Sequence, residues 1–175
     1  MKRVVLTLGL ISGVIISGMF VLTIPFIDHV DFEKGAIIGY ASMLAASLLI
    51  YFGIRSYRDN QSAGEIRFGR AFLIGMLIVT VSNILYVATW EFVYPRYMPD
   101  FYDKYAAAAI DKARASGAGA TDIEAIQKRV EMYKNPVMNA AFTFLEPLPV
   151  GLLVSLISAW VLSRRRSQMA AVPAG

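Results

Sequence analysis

The sequence predicts an all-α integral membrane protein, a bundle of four transmembrane helices with an extramembrane amphipathic helical hairpin between the third and the fourth. Three observations carry this prediction. Hydrophobic residues make up 57% of the 175 residues and charged residues only 17%, against about 45–50% and about 25% in soluble domains. Four long apolar runs interrupt an otherwise ordinary chain. The cations gather in short clusters beside those runs, which is how membrane proteins set their orientation. The apolar runs are continuous and do not alternate, so a transmembrane β-barrel is excluded. One domain, 1–166, accommodates everything but a short tail.

The four spans are predicted over 4–27, 36–54, 71–94 and 137–163. Crossing ~30 Å of hydrocarbon takes about 20 helical residues, so each is long enough, with the second nearest the minimum. The first span follows a basic start, Met1-Lys2-Arg3, as a signal peptide would. A secretory apolar region, however, is about 7–15 residues long and ends at small residues. Here the run continues into Ile24-Pro25-Phe26-Ile27-Asp28 with no such site, so it is expected to stay attached. The loop after it holds His29 among Asp28, Asp31 and Glu33 and reads as a solvated acidic turn.

Lys and Arg set the orientation. Lys2, Arg3, Arg55, Arg58, Arg67, Arg70, Arg164, Arg165 and Arg166 fall on one side, and the short first loop opposes them with Lys34 alone; the longer third loop carries seven cations but also six carboxylates, so the short segments decide. The positive-inside rule puts both termini and the second loop in the cytoplasm. The expected location is a bacterial inner (cytoplasmic) membrane, with the lipid bilayer as the first partner.

The third loop is the one sizeable extramembrane part. Asp100 is placed to cap a helix with an apolar face of Phe101, Tyr105 and Ala109, with Tyr102, Ala106 and Ala113 alongside. Ser116-Gly117-Ala118-Gly119-Ala120 stops it. Thr121 and Glu124 read as a capping box opening a second helix. That helix has a stripe of Ile123, Ile126, Val130 and Tyr133, and Glu124 and Lys128 pair four residues apart. Asn135-Pro136 turns the chain into the last span. The hairpin over 100–134 reads either as a cap on the helix ends or as a binding surface for a protein partner or lipid. The tail from Ser167 is expected to be disordered.

Within the spans, small residues at four-residue spacing mark packing faces, namely Gly9 and Gly13, Gly39, Gly75, and Gly151. They serve intramolecular packing or a homodimer. Ionisable and strongly polar residues in spans are costly and therefore candidates for function. Glu91 and Glu146, counted from the cytoplasmic boundaries, fall at similar depth near the outer surface. Asn83 lies about 12 Å deeper than Glu91 at 1.5 Å per residue. Pro147 and Pro149 lack N–H groups and free the carbonyls of Thr143 and Leu145 beside Glu146. A carboxylate at a broken helix resembles an ion or proton site. A plain interfacial kink with Glu146 paired to Lys134 or Arg96 fits the same residues.

Other chemistries are absent from the sequence. There is no cysteine and only one histidine, so thiolate and His-rich metal sites are excluded and no metal or cofactor is expected. The Gly64–Gly69 spacing is followed by Arg70-Ala71, not Lys-Ser/Thr, so it is no phosphate loop. No nucleophile–base pair is visible, and no aromatic–basic stripe or zinc spacing suggests nucleic acid. A non-enzymatic structural or interaction protein is the first expectation. A small oligomeric ion- or proton-coupled transporter or channel component using Glu146 and Asn83 is the alternative. An enzyme acting on lipid would need Glu91 and Glu146 to meet, which no feature of the sequence indicates.

Two blocks carry a resemblance. The first is Leu49-Ile50-Tyr51-Phe52-Gly53-Ile54-Arg55-Ser56-Tyr57-Arg58-Asp59 with Gly64-Glu65-Ile66-Arg67-Phe68-Gly69-Arg70-Ala71-Phe72 and Gly75. The second is Met132-Tyr133-Lys134-Asn135-Pro136 with Phe144-Leu145-Glu146 and Pro149-Val150-Gly151-Leu152. Together they resemble the domain of unknown function 4199 family of small, mostly bacterial membrane proteins. The resemblance implies four spans with a charged helical segment before the last, and it implies no activity, cofactor or catalytic residue.

Overall fold

The computed structural model describes residues 1–26 and 32–169, with no strand among them. Helix α1 spans Lys2–Thr23 and ends in a 3-10 turn, Ile24–Phe26. Helices α2, Phe32–Gln61, and α3, Phe68–Tyr97, follow. Two short helices come next, α4, Phe101–Ala115, and α5, Ala120–Lys134. The last apolar run is two helices in series, α6, Pro136–Leu145, and α7, Leu148–Met169. Four segments are long and apolar enough to cross a membrane, Lys2–Phe26, Lys34–Gln61, Phe68–Tyr97 and Pro136–Arg164. The first loop with His29 lies outside the described residues. The tail expected to be disordered from Ser167 begins as helix up to Met169, and 170–175 lie outside the described residues.

The helices run past the predicted spans because polar residues prolong them. Beyond position 54, α2 continues through an Arg55–Asp59 pair at 3.5 Å, one turn apart. Helix α3 accommodates Pro95 in its last turn, where the missing N–H removes only the bond to the Glu91 carbonyl. Asn135 closes α5 and opens α6, its Oδ1 accepting from the N–H groups of Val137 (3.0 Å) and Met138 (3.2 Å). Pro136 then occupies the first turn, where its missing donor costs nothing.

Around the bundle the order is α1, α2, α7, α3, with α2 and α3 also touching across the centre. Ile50, Ile54, Ile74 and Ile78 fill that centre, each at most 2% exposed. Close approach is set by glycines, since helices in lipid associate through tight packing. A Cβ added at Gly9 would fall 2.7 Å from Val81 Cβ, and one at Gly13 3.0 Å from Leu85 Cβ. At Gly75 it would meet Ser155 Oγ at 2.7 Å, and at Gly151 Val79 Cγ2 at 2.6 Å. Gly53, not singled out in the sequence, is as tight, 2.5 Å from Ile78 Cδ1. Gly39 makes no such approach within the chain, for it has open space around it. At that end Phe20, Met43 and Tyr86 make the interhelical contact, and their bulk keeps the α2 backbone away from its neighbours.

Helices α4 and α5 lie along each other against the end of α3 and the start of α6. Here two local expectations are corrected. Helix α5 starts earlier than the Thr121–Glu124 box, because Gly119 is the extended residue and its N–H donates to Asp122 Oδ2 at 3.1 Å. Asp100 makes no capping bond and instead pairs with Lys104 at 3.6 Å. On α4 Tyr102 is the residue buried, and Tyr105 on the expected face is 37% exposed. On α5 Val130 is buried and Ile123, Ile126 and Tyr133 beside it are half-buried, and Glu124 pairs with Lys128 at 2.8 Å.

Candidate functional site

Two polar clusters sit inside this apolar molecule. The first is at mid-height. Ser12 on α1 donates to the Ala46 carbonyl of α2 at 3.2 Å, and Ser82 on α3 donates to Ser12 Oγ at 3.2 Å. Ser47 returns its hydrogen to its own helix, to the Met43 carbonyl at 2.7 Å. Asn83, 1% exposed, donates its amide to the Phe144 carbonyl at 2.9 Å. That carbonyl lies at the α6–α7 break, where Glu146-Pro147 interrupt the helix, so α3 supplies a donor where the chain's own ladder is interrupted.

These contacts fix the depth of the two glutamates. Asn83 faces Phe144, Trp90 faces Asn139, and Val79 faces Gly151. Glu146 therefore lies between the levels of Val79 and Asn83, near the middle of α3, whereas Glu91 lies roughly 12 Å farther along at 1.5 Å per residue. The expected equal depth is corrected. Ser163, used as the inner boundary of the last span, lies beyond the level of Ala71, because Ser155 already faces Gly75. Glu146 is exposed on the flank of the bundle, and Glu91 is half-buried with one oxygen, Oε1, enclosed and unbonded. The suggested partners of Glu146 are otherwise engaged. Lys134 bonds Asp103 at 2.7 Å, and Arg96 donates to the Phe92 carbonyl at 2.9 Å while lying over the Phe92 ring.

The second cluster centres on Asn139 of α6, 2% exposed. Its Oδ1 accepts from Trp90 Nε1 (2.8 Å) and Thr143 Oγ1 (3.3 Å), and its Nδ2 donates to Tyr102 Oη (2.9 Å) and the Tyr133 carbonyl (2.8 Å). All four bonds an amide side chain can make are made. One residue thus joins α3, α4, α5 and α6. Around it Trp90 stacks on Tyr94, and Tyr102 on Tyr133, at centroid distances of 5.7 and 5.5 Å. Sequence reasoning passed over Asn139. Its signal was an Asn four residues before Thr143 in an apolar run, a polar pair on one helix face.

Electrostatics outside the spans follow from burial and pairing. The Asp103 carboxylate beside Lys134 raises the ammonium above the ordinary lysine range. Burial pushes the phenols of Tyr102 and Tyr133 above the ordinary tyrosine range. No group of three or more potential metal-ligating side chains occurs among the described residues.

No curated protein and no solved structure matches the chain. A family model does, over residues 7–164. That stretch includes both polar clusters, three of the four long apolar segments whole and the first from residue 7 onward. The chain belongs to the family described as protein of unknown function (DUF4199).

Proposed function

We propose that the protein is a non-enzymatic, multi-pass protein of a bacterial cytoplasmic membrane, with both termini cytoplasmic, acting through structure and protein contacts at its opposite end. The observation that carries the reading is the distribution of exposed side chains. Leu6, Leu10, Val14 and Leu22 on α1, Leu44, Leu48 and Phe52 on α2, and Leu153, Ile157 and Trp160 on α7 are all exposed, as a lipid-facing belt requires. Arg55, Arg67 and Arg70 lie at one end of this belt, together with the start of α1 and the end of α7. The α4–α5 pair lies at the other end, outside the membrane, as a lid over Trp90. Tyr102, Val130 and Tyr133 of its inner face pack on α3 and α6, and its outer face is charged and is the surface for a protein partner. Asn139 keeps no bonding capacity for a substrate, which favours a structural role over catalysis.

This reading is tested by reconstituting the protein in nanodiscs and substituting exposed lid residues whose contacts are surface ion pairs within their own helices, Asp111 with Arg114 and Glu124 with Lys128, by Asp111→Arg with Glu124→Arg. Exposed pairs of this kind contribute little, so helix content should be unchanged and thermal stability nearly so while capture of a native membrane partner is lost. Equal capture by wild type and variant would remove the lid from the interaction.

A second reading rests on one specific observation, the mid-height position of Glu146 at a helix break. A carboxylate at that depth is costly in lipid. It suits a proton- or ion-coupled carrier, with Asn83 holding the break. Because Glu146 is on the flank, such a carrier requires an oligomer. Glu146→Gln should then abolish a pH-driven flux in proteoliposomes that the wild type supports, and equal fluxes would exclude Glu146.

A further inference from the structure

Between α1, α2, α3 and the α6–α7 break lies a small cavity of about 10 Å³, measured for the centre of a water-sized sphere. That is room for about one water molecule. Ser12, Ser47, Ser82 and Asn83 line it together with Ile50 and Val79. The hydroxyl hydrogens and one of the two Asn83 amide hydrogens are already assigned. Ser12 donates to the Ala46 carbonyl, Ser82 to Ser12, Ser47 to the Met43 carbonyl, and the Asn83 amide once, to the Phe144 carbonyl. What remains around the cavity is mostly acceptor capacity, the lone pairs on Ser47 Oγ, Ser82 Oγ and Asn83 Oδ1, beside the second Asn83 N–H. Among the described residues none donates to Asn83 Oδ1, though the residue is 1% exposed.

Asn83 Oδ1 is left to whatever the cavity admits, since no described side chain donates to it. The ligand must therefore be small and bring hydrogens or positive charge. Magnitudes decide between them. A monovalent cation here would face neutral oxygens and apolar carbons only, at a Born cost of tens of kcal/mol in a medium of low dielectric constant. Immobilising a water costs at most about 2 kcal/mol and satisfies two acceptors at once. We propose that the cavity binds one internal water molecule, which donates to Asn83 Oδ1 and to a serine hydroxyl oxygen and so bridges α3 to α2 beside the helix break.

The test is water–protein cross-relaxation by NMR on ¹⁵N-labelled full-length protein in deuterated-lipid nanodiscs, read at the Asn83 side-chain amide protons. A cross-peak with the sign of a long-lived bound water is expected. It should be lost in Ser47→Val, whose extra methyl fills the cavity. The wild-type spectrum decides even if that variant does not fold. Absence of the cross-peak, with exposed amides such as that of Ala63 showing theirs, would mean a dry cavity and overturn the proposal. An Asn83 shift that titrates with sodium chloride but not choline chloride would equally overturn it, in favour of a cation.

Discussion

Asn139 and Asn83 make this membrane-type interior specific. Both are amides in apolar helices, and both spend their hydrogens on other elements, so their replacement by leucine leaves buried partners unpaired. For Asn139→Leu the orphans are Trp90 Nε1, Tyr102 Oη and the Tyr133 carbonyl. At about 1–3 kcal/mol for each orphaned group, the loss should unfasten the lid while the bundle persists. The chain has two tryptophans. In a Trp160→Phe background, Trp90 emission should therefore shift to the red in Asn139→Leu and stay put in Asn139→Gln if the longer amide still reaches. Glycine positions make the complementary prediction. Gly151→Val places branched carbon where Val79 already stands, and should lower thermal stability in detergent, whereas Gly39→Val, with open space around it, should be near neutral.

At the scale of elements, α4 and α5 form the part most dependent on pH. Burial raises the phenols of Tyr102 and Tyr133, and Asp103 raises Lys134. A group whose folded pKa exceeds its unfolded value contributes stability fully below the unfolded value, and loses it as pH rises through the folded one. For these phenols and this lysine the unfolded values are about 10 and about 10.4. The lid should hold unchanged through neutral pH and begin to open above roughly pH 10. Hydrogen exchange across 101–134 should accelerate there before it does in α3, and Tyr102→Phe should weaken that dependence. How far the sequence spoke for these elements depended on what set each boundary. The α5 stripe was legible because Ile123, Ile126, Val130 and Tyr133 repeat with the helical period. The cap was not, because Thr121 and Asp122 both suit a first turn and only the extended backbone of Gly119 chooses between them. The depth of Glu146 was likewise hidden. It depends on the register between α3 and α6–α7, fixed by the Asn83–Phe144 and Trp90–Asn139 bonds, and interhelical register leaves no periodic trace in one chain.

For the molecule as a whole, four apolar runs, cation clusters in the short flanking segments and small-residue faces made the architecture readable, since each is a property of sequence order alone. What joins the helices was only half readable, as Gly53 was missed for want of knowing its neighbours. The central claim is that this bundle crosses a membrane with its basic end in the cytoplasm and the α4–α5 lid outside. Because the chain has no cysteine, single substitutions Asp111→Cys in the lid and Ser62→Cys in the α2–α3 turn can each be labelled alone. The measurement is reaction with a membrane-impermeant maleimide in intact spheroplasts and again after the membrane is opened. The account predicts that Asp111→Cys labels in intact spheroplasts and Ser62→Cys only once the membrane is opened. Labelling of Ser62→Cys but not Asp111→Cys in intact spheroplasts, or recovery of the protein in the soluble fraction, would contradict it.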